Sequence, residues 1–159
     1  MSSTPLFFRI LNPVMKTVLN SPLHRLVSDK IMVLTFTGIK SGKEYSTPVS
    51  YFMDDGTVYC FTHGRWWKNV AAGANVKLRI QGEDRVGFAN AETEDVAQIS
   101  TALNKMLIAN PSDARYYGVT FDAEGQPNMD EIRKAATKAV MIRIALRDVQ
   151  EQVDPVPVS

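Results

Sequence analysis

Residues 35–51, Thr35-Phe-Thr-Gly-Ile-Lys-Ser-Gly-Lys-Glu-Tyr-Ser-Thr-Pro-Val-Ser-Tyr51, read as strand, basic turn, strand. Just before them, Ile31-Met-Val-Leu34 is wholly apolar, the pattern of a buried strand. Gly38 ends that run, and the loop that follows carries Lys40, Gly42 and Lys43. From Tyr45 the chain alternates: Tyr45, Thr47, Val49, Tyr51 and Met53 take one side, Ser46, Pro48, Ser50 and Phe52 the other. Asp54-Asp55-Gly56 has the composition of a hairpin turn, and Val58 to Thr62 is the return strand.

The same two-residue period returns downstream. Asn75 to Gln81 sets Val76, Leu78 and Ile80 inward against Lys77 and Arg79 outward; Gly82-Glu83-Asp84 turns the chain and Arg85 to Ala91 pairs back. Val140, Ile142, Ile144 and Leu146 form a late strand that must insert into the sheet built earlier. Helical spacing covers about Glu94 to Ile108, with Val96, Ile99, Leu103, Met106 and Leu107 on one face. Shorter helices are predicted from Arg65 to Ala72 (stopped by Gly73), from Asn110-Pro111 to Tyr117 (stopped by Gly118), and from a cap at Asp130 to about Lys138. About six strands in antiparallel hairpins with helices between them predict an α+β fold, mainly antiparallel β, closing into a small barrel.

Three pairs, Thr4-Pro5, Asn12-Pro13 and Ser21-Pro22, each place a capping side chain before a proline. Residues 5–28 are therefore expected to be short helices forming a lid on the barrel. The alternative is peripheral membrane contact through their apolar stripe and basic residues. Residues 1–150 read as one domain and 151–159 as a disordered tail.

Bulk composition bounds the function. The 159 residues are 45% hydrophobic and 22% charged, with a net charge of +1, an ordinary soluble composition without the basic excess of a nucleic-acid-binding surface. Cys60 is the one cysteine, so no intramolecular disulfide forms and a reducing compartment is the natural home. No apolar run would span a bilayer and the N-terminus lacks the pattern of a secretory signal, which together predict a cytoplasmic protein. Two histidines, His24 and His63, are too few for a histidine-rich metal site.

The basic turn Gly38-Ile-Lys-Ser-Gly-Lys43 is not a nucleotide P-loop. Three residues rather than four separate the first glycine from Gly-Lys, Glu44 stands where a magnesium-binding hydroxyl is needed, and a strand follows instead of a helix. Two readings remain: an exposed hairpin turn, or an anion site. In the second, Lys40 and Lys43 neutralise phosphate while Ser41 and backbone N–H groups donate, with Thr47 extending the row. Arg65-Trp66-Trp67-Lys68-Asn69 gathers both tryptophans into one helical turn. Neighbours on a helix point about 100° apart, so one indole is expected to anchor the turn and the other to cover a planar ligand, with Asn69 at the ring edge.

The stretch 35–49, followed by Trp-Trp-Lys-Asn-Val (66–70) and the strand Val76–Ile80, resembles the deazaflavin-dependent nitroreductase family. That family belongs to the flavin-reductase-like split β-barrels, which also include pyridoxamine phosphate oxidases. The resemblance implies a homodimeric split barrel that binds coenzyme F-420, with FMN the alternative in related barrels. It implies a small-molecule substrate, a quinone or nitro compound, that receives a hydride. By similarity, Lys40, Ser41, Gly42 and Lys43 would hold the anionic tail of the coenzyme. Tyr45, Thr47 and Pro48 would line its ribityl side, and Thr62, His63, Arg65, Trp66, Trp67 and Asn69 would border its ring. Family members often carry a longer insert before the tryptophans; here Thr62-His63-Gly64-Arg65 connects almost directly.

Hydride transfer asks for close approach more than for an acid or base. If a proton must follow, Tyr116 and Tyr117 or His63 are the candidate donors. Cys60, in mid-strand, reads as core. A non-catalytic barrel that carries a flavin or tetrapyrrole would share the same features without an acceptor site.

Overall fold

The computed structural model describes residues 30–147. Seven strands, β1 (Ile31–Thr37), β2 (Glu44–Ser50), β3 (Phe52–Asp54), β4 (Thr57–Thr62), β5 (Ala74–Ile80), β6 (Glu83–Glu92) and β7 (Val140–Leu146), form one sheet in the order β2-β1-β5-β6-β7-β4-β3. Every pairing is antiparallel. The two edge strands, β2 and β3, are separated in the chain by Tyr51 alone. One continuous stretch therefore supplies both edges of the curled sheet, β2 and β3 each being paired on one side only. The late strand β7 inserts between β4 and β6, as its apolar alternation requires.

Tyr51 is where the expected single strand 45–53 breaks. Its ring is buried in the barrel and its N–H donates to the Lys30 carbonyl at 3.1 Å. Past this bend the alternation changes partners: Phe52 is buried under the helices and Met53 is exposed, so Met53 does not share the inward face of Val49.

Two apolar layers result. The barrel interior is filled by Met32, Leu34 and Phe36 of β1, Val76, Leu78 and Ile80 of β5, and Ile142 and Ile144 of β7, among others. Cys60 lies there too, and burial pushes its thiol up to about 12, so it serves as a small apolar side chain. The second layer lies outside β3, β4 and β7. Helix α1 (Val96–Ala109) sets Ile99, Leu103, Met106 and Leu107 against Phe52, Phe61, Met141 and Ile132 of helix α3 (Met129–Ala136). Helix α2 (Ala114–Tyr117) is a single turn ended by Gly118 at φ +70°, the left-handed stop expected of that glycine.

Local chemistry explains where these elements begin. The Asp95 side chain accepts from the Gln98 N–H and caps α1. Ahead of it, the Glu92 carboxylate accepts from the N–H groups of Asp95 and Glu94, which hold it below the usual glutamate range. For α3 the cap is Asn128, accepting from the Glu131 N–H, and not Asp130, which lies inside the first turn and pairs with Arg133. An Asn ahead of an acidic first turn is the stronger capping arrangement. The turn between β5 and β6 is Gln81-Gly82, at φ 51° and 80°, rather than Gly82-Glu83-Asp84. Like Asp55-Gly56, at 52° and 78°, it has two consecutive left-handed residues, the geometry that matches strand twist in a two-residue hairpin.

The predicted helix from Arg65 to Ala72 shrinks to a 3-10 turn, Trp66–Asn69. The indole of Trp66 is drawn into the barrel, and the Arg65 side chain makes no capping bond that would start a longer helix. The helices expected in 5–28 and the tail 151–159 lie outside the described residues. Among the described residues no helix is long and apolar enough to cross a membrane.

Candidate active site

The strand directions gather three loops at one end of the barrel. β1 and β4 finish there, and β2, β5 and β7 begin there. The loop between β1 and β2 (38–43), the connection between β4 and β5 (63–73) and the tyrosines of α2 meet around this end.

Loop 38–43 is closed by its own backbone. Gly38 N–H donates to the Lys43 carbonyl and Gly42 N–H to the Gly38 carbonyl, both at 2.8 Å. Lys43 N–H donates to Ser41 Oγ at 3.2 Å, and Ser41 Oγ lies 3.2 Å from the Tyr45 hydroxyl. The space over Gly38 is taken: an added Cβ would sit 2.8 Å from Ser41 Oγ and 2.9 Å from the Tyr45 ring. Ile39 N–H donates to Asn69 Oδ1 at 3.0 Å. Four of the loop's N–H groups are thus committed. Those of Lys40 and Ser41 have no acceptor among the described residues. Lys40 and Lys43 are exposed, and neither forms an ion pair with a described carboxylate. Glu44, the nearest acid in the sequence, is taken by Lys77 at 3.0 Å. The loop is thus fixed by its own bonds and keeps two N–H donors and two exposed ammonium groups without partners among the described residues, which is what an anion needs.

Asn69 ties this loop to the tryptophan turn. While its Oδ1 accepts from Ile39, its Nδ2 donates to the Trp66 carbonyl at 3.0 Å. Sequence reasoning set Asn69 at a ligand ring edge; the structure uses both ends of its amide as a bracket between two loops. Contacts across 30 residues of chain leave no local signal that would have shown this.

Trp66 is 8% exposed and stacks on Phe36, with ring centroids 5.2 Å apart and planes 20° apart; Phe36 stacks in turn on Tyr45 at 5.9 Å. Trp67, half-buried, touches the same interior cluster. The expectation that neighbouring indoles would not serve one core is therefore corrected. The turn lies across the barrel end, so both rings reach the apolar interior. Arg65 and Lys68 of this turn point to solvent.

Thr47 is 2% exposed, in the barrel wall, and its hydroxyl reaches only the Pro48 carbonyl at 3.5 Å. It is not in the row of open donors. Pro48 is half-buried opposite Val33 in the β1–β2 ladder. Thr62, also buried, accepts the Gly64 N–H on its hydroxyl at 2.9 Å, which turns the chain from β4 toward the tryptophans.

The three candidate proton donors come together although 53 residues separate them. His63 Nδ1 is 3.2 Å from the Tyr116 hydroxyl. The imidazole lies 5.3 Å from the Tyr116 ring and 5.6 Å from the Tyr117 ring, and the two tyrosines meet edge to face at 5.1 Å. Tyr117 also meets Phe61 edge-on, and burial pushes its hydroxyl well above the usual tyrosine range, so it stays protonated. Burial moves His63 the other way, below the usual histidine range, which favours the neutral ring.

A cavity of about 550 Å³ opens at the opposite barrel end, among Lys30, Tyr51, Gln81, Glu83, Arg85 and Asn110. It contains no indole and none of the residues above. Among the described residues no group of histidine, cysteine, aspartate or glutamate could hold a metal ion.

A family model described as F420H(2)-dependent quinone reductase matches residues 14–120, about two-thirds of the chain. The chain belongs to the F420H(2)-dependent quinone reductase family. No curated protein matches it. Its fold is that of solved structures at low sequence identity. Protein Atu2129 of Agrobacterium tumefaciens is 15% identical, with 80% of this chain and 56% of that one covered and a TM-score of 0.52. The conserved hypothetical protein Rv2991 of Mycobacterium tuberculosis is 15% identical, with 87% and 92% covered and a TM-score of 0.50. An F420-H2 dependent reductase, FDR-A, is 19% identical, with 72% and 93% covered and a TM-score of 0.47. Family membership supports an F-420-dependent oxidoreductase. The open N–H pair and unpaired lysines of loop 38–43 fit the negative charge that such a coenzyme carries in its tail.

Proposed function

We propose that this protein reduces an electron-poor small molecule of the quinone type with coenzyme F-420, at the barrel end that carries loop 38–43. The observation that supports the reading most is the coupling of an uncommitted anion loop to an aromatic platform through one side chain, Asn69. When bound, the reduced deazaflavin supplies a hydride. The chain does the rest. Lys40, Lys43 and the N–H groups of Lys40 and Ser41 take the anionic tail. The buried Phe36–Trp66 stack backs Trp67, whose half-buried indole gives a rigid apolar floor suited to a flat ring. Asn69 holds loop and floor at a fixed separation, so that gripping the tail also places the ring. His63, Tyr116 and Tyr117 border the space left for the acceptor and shield it from water.

The test is a titration of the purified chain with F-420 and with FMN, followed by turnover of menadione with reduced F-420. Saturable quenching by F-420, weaker binding of FMN and steady menadione reduction are expected. Tighter binding of FMN, or binding without turnover of menadione or a nitro compound, would contradict it. The second outcome would instead suit a carrier of planar ligands.

A further inference from the structure

We infer that Tyr116 and His63 act as one proton relay, from solvent to the acceptor, with the proton entering at the tyrosine and leaving from Nε2 of the histidine; this rests on the reductase reading above. The contact that carries it is the 3.2 Å approach of the Tyr116 hydroxyl to His63 Nδ1. A neutral imidazole has one donor and one acceptor nitrogen. A phenol that donates to Nδ1 makes that nitrogen the acceptor and leaves the proton on Nε2.

His63 is exposed as well as Tyr116, so the relay's direction rests on which imidazole nitrogen faces the phenol. Tyr116 is 69% exposed, so bulk water can restore its proton. Tyr117, packed behind the same imidazole and against Phe61, is mostly buried and serves as the wall that orients the ring. The titratable groups in ring contact with His63 are Tyr116 and Tyr117 of α2; Arg65 follows in its own loop. Asp113 and Cys60 act on Tyr117, and no carboxylate is among the influences on His63. The imidazole therefore has no anion to hold it as the cation, and it works from the neutral form.

Charge and atoms balance without any further reagent. A quinone that has gained a hydride carries one negative charge on oxygen. That oxygen takes the Nε2 proton of His63, Nδ1 takes the Tyr116 proton, and the phenolate takes one from water. No electrons pass through the relay; Tyr116 ends as a phenol, and His63 ends with its proton on Nδ1, a tautomer that proton exchange with water returns to the Nε2–H form before the next turnover. Tyr116 acts through His63 and is a positioning and relay residue; His63 is the group that touches the acceptor.

Two measurements test this. Nitrogen-15 spectra of the imidazoles in the full chain, assigned with H63Q, are expected to show His63 neutral at pH 7, with Nδ1 bare and Nε2 protonated. Y116F is expected to shift the Nδ1 resonance. A proton on Nδ1, or a resonance indifferent to Y116F, overturns the relay whether or not a coenzyme binds. In steady state, H63Q and Y116F should each lower kcat for menadione roughly a hundredfold, the low end of general acid catalysis. Coenzyme affinity and the KM for menadione should be unchanged. The double variant should be no slower than the slower single one, because both act in one path. Multiplied losses, or full kcat in Y116F, sink the relay and leave the reductase reading intact. A wild-type chain that binds no F-420 sinks that reading, and the relay with it.

Discussion

The two ends of this barrel are made from the same strands and treat their polar groups in opposite ways. At the end where β3 meets β4 and β5 meets β6, the loops are two-residue turns, Asp55-Gly56 and Gln81-Gly82. Several side chains there are paired nearby, Asp54 with Lys105 at 2.8 Å, Asp84 with Arg79 at 2.8 Å, and the buried Asn110 amide with the Tyr51 carbonyl at 3.1 Å, although the buried Arg79 Nε has no acceptor among the described residues. At the other end the connections are longer. There, two N–H groups and two exposed ammonium groups have no partner among the described residues, and an exposed tyrosine hydroxyl meets His63. Folding explains the pairs at the first end. The second end keeps donors that a stable fold has no use for, which is how a binding end differs from a structural one.

The largest expected effect breaks that contrast at the binding end. Replacing Lys40 and Lys43 together by alanine should weaken F-420 binding about a hundredfold in low salt, about one tenfold step per charge-assisted contact. The loss should shrink in high salt, where the wild-type attraction is screened. Tm should not move, because neither lysine has an ion-pair partner among the described residues. A calorimetric scan beside the titration checks both halves.

Asn110→Ala attacks the structural end. Asn110 is 2% exposed, and its loss removes the bond it gives to the Tyr51 carbonyl, at the bend that joins the sheet's two edges. Stability should fall by about 1–3 kcal/mol in urea unfolding, with F-420 affinity unchanged. Asn69→Ala should do the reverse on a smaller scale. It frees loop 38–43 from the tryptophan turn, costing about tenfold in affinity through lost preorganisation and little in Tm. In the background lacking Lys40 and Lys43, the Asn69 effect should disappear.

The smallest effect belongs to neither end. Glu131 accepts from the N–H and hydroxyl of Thr120, both at 2.8 Å, and these bonds hold its carboxyl below the usual glutamate range. A depressed folded-state value means stability that is present above the ordinary glutamate range and lost as the pH falls through the folded value. Glu131→Gln should therefore lower Tm slightly at pH 7, with the difference fading below pH about 4. A series of thermal melts would show it.

Much of the barrel was legible because period-two apolar patterns survive wherever a strand faces one core. Val76-Leu78-Ile80 and Ile142-Ile144 gave both strand and facing side. The pattern misled where one strand serves two cores, as at Tyr51, Phe52 and Met53, because alternation carries no record of a change of partner. The cap of α3 was misplaced by two residues because Asn128 and Asp130 are both good capping residues, and the hydrogen bond that chooses between them exists only in the fold. At the site, residue types pointed to the lysine loop, the tryptophans and the tyrosine pair. The contacts that make these one constellation, Ile39 to Asn69 and His63 to Tyr116, span 30 and 53 residues and leave no mark in local sequence. Thr47 showed the converse: its place in the alternation was correct, and that same place buries it.

On the proposed reading the coenzyme binds at the end carrying loop 38–43. Backbone amide spectra of the nitrogen-15-labelled chain, recorded as F-420 is added, test this directly. The N–H resonances of Lys40 and Ser41 should shift most, followed by those of residues 65–69, while those of Tyr51, Gln81 and Asn110 hold still. Shifts that centre on Tyr51, Gln81 and Arg85, with the Lys40 and Ser41 signals unmoved, would contradict it.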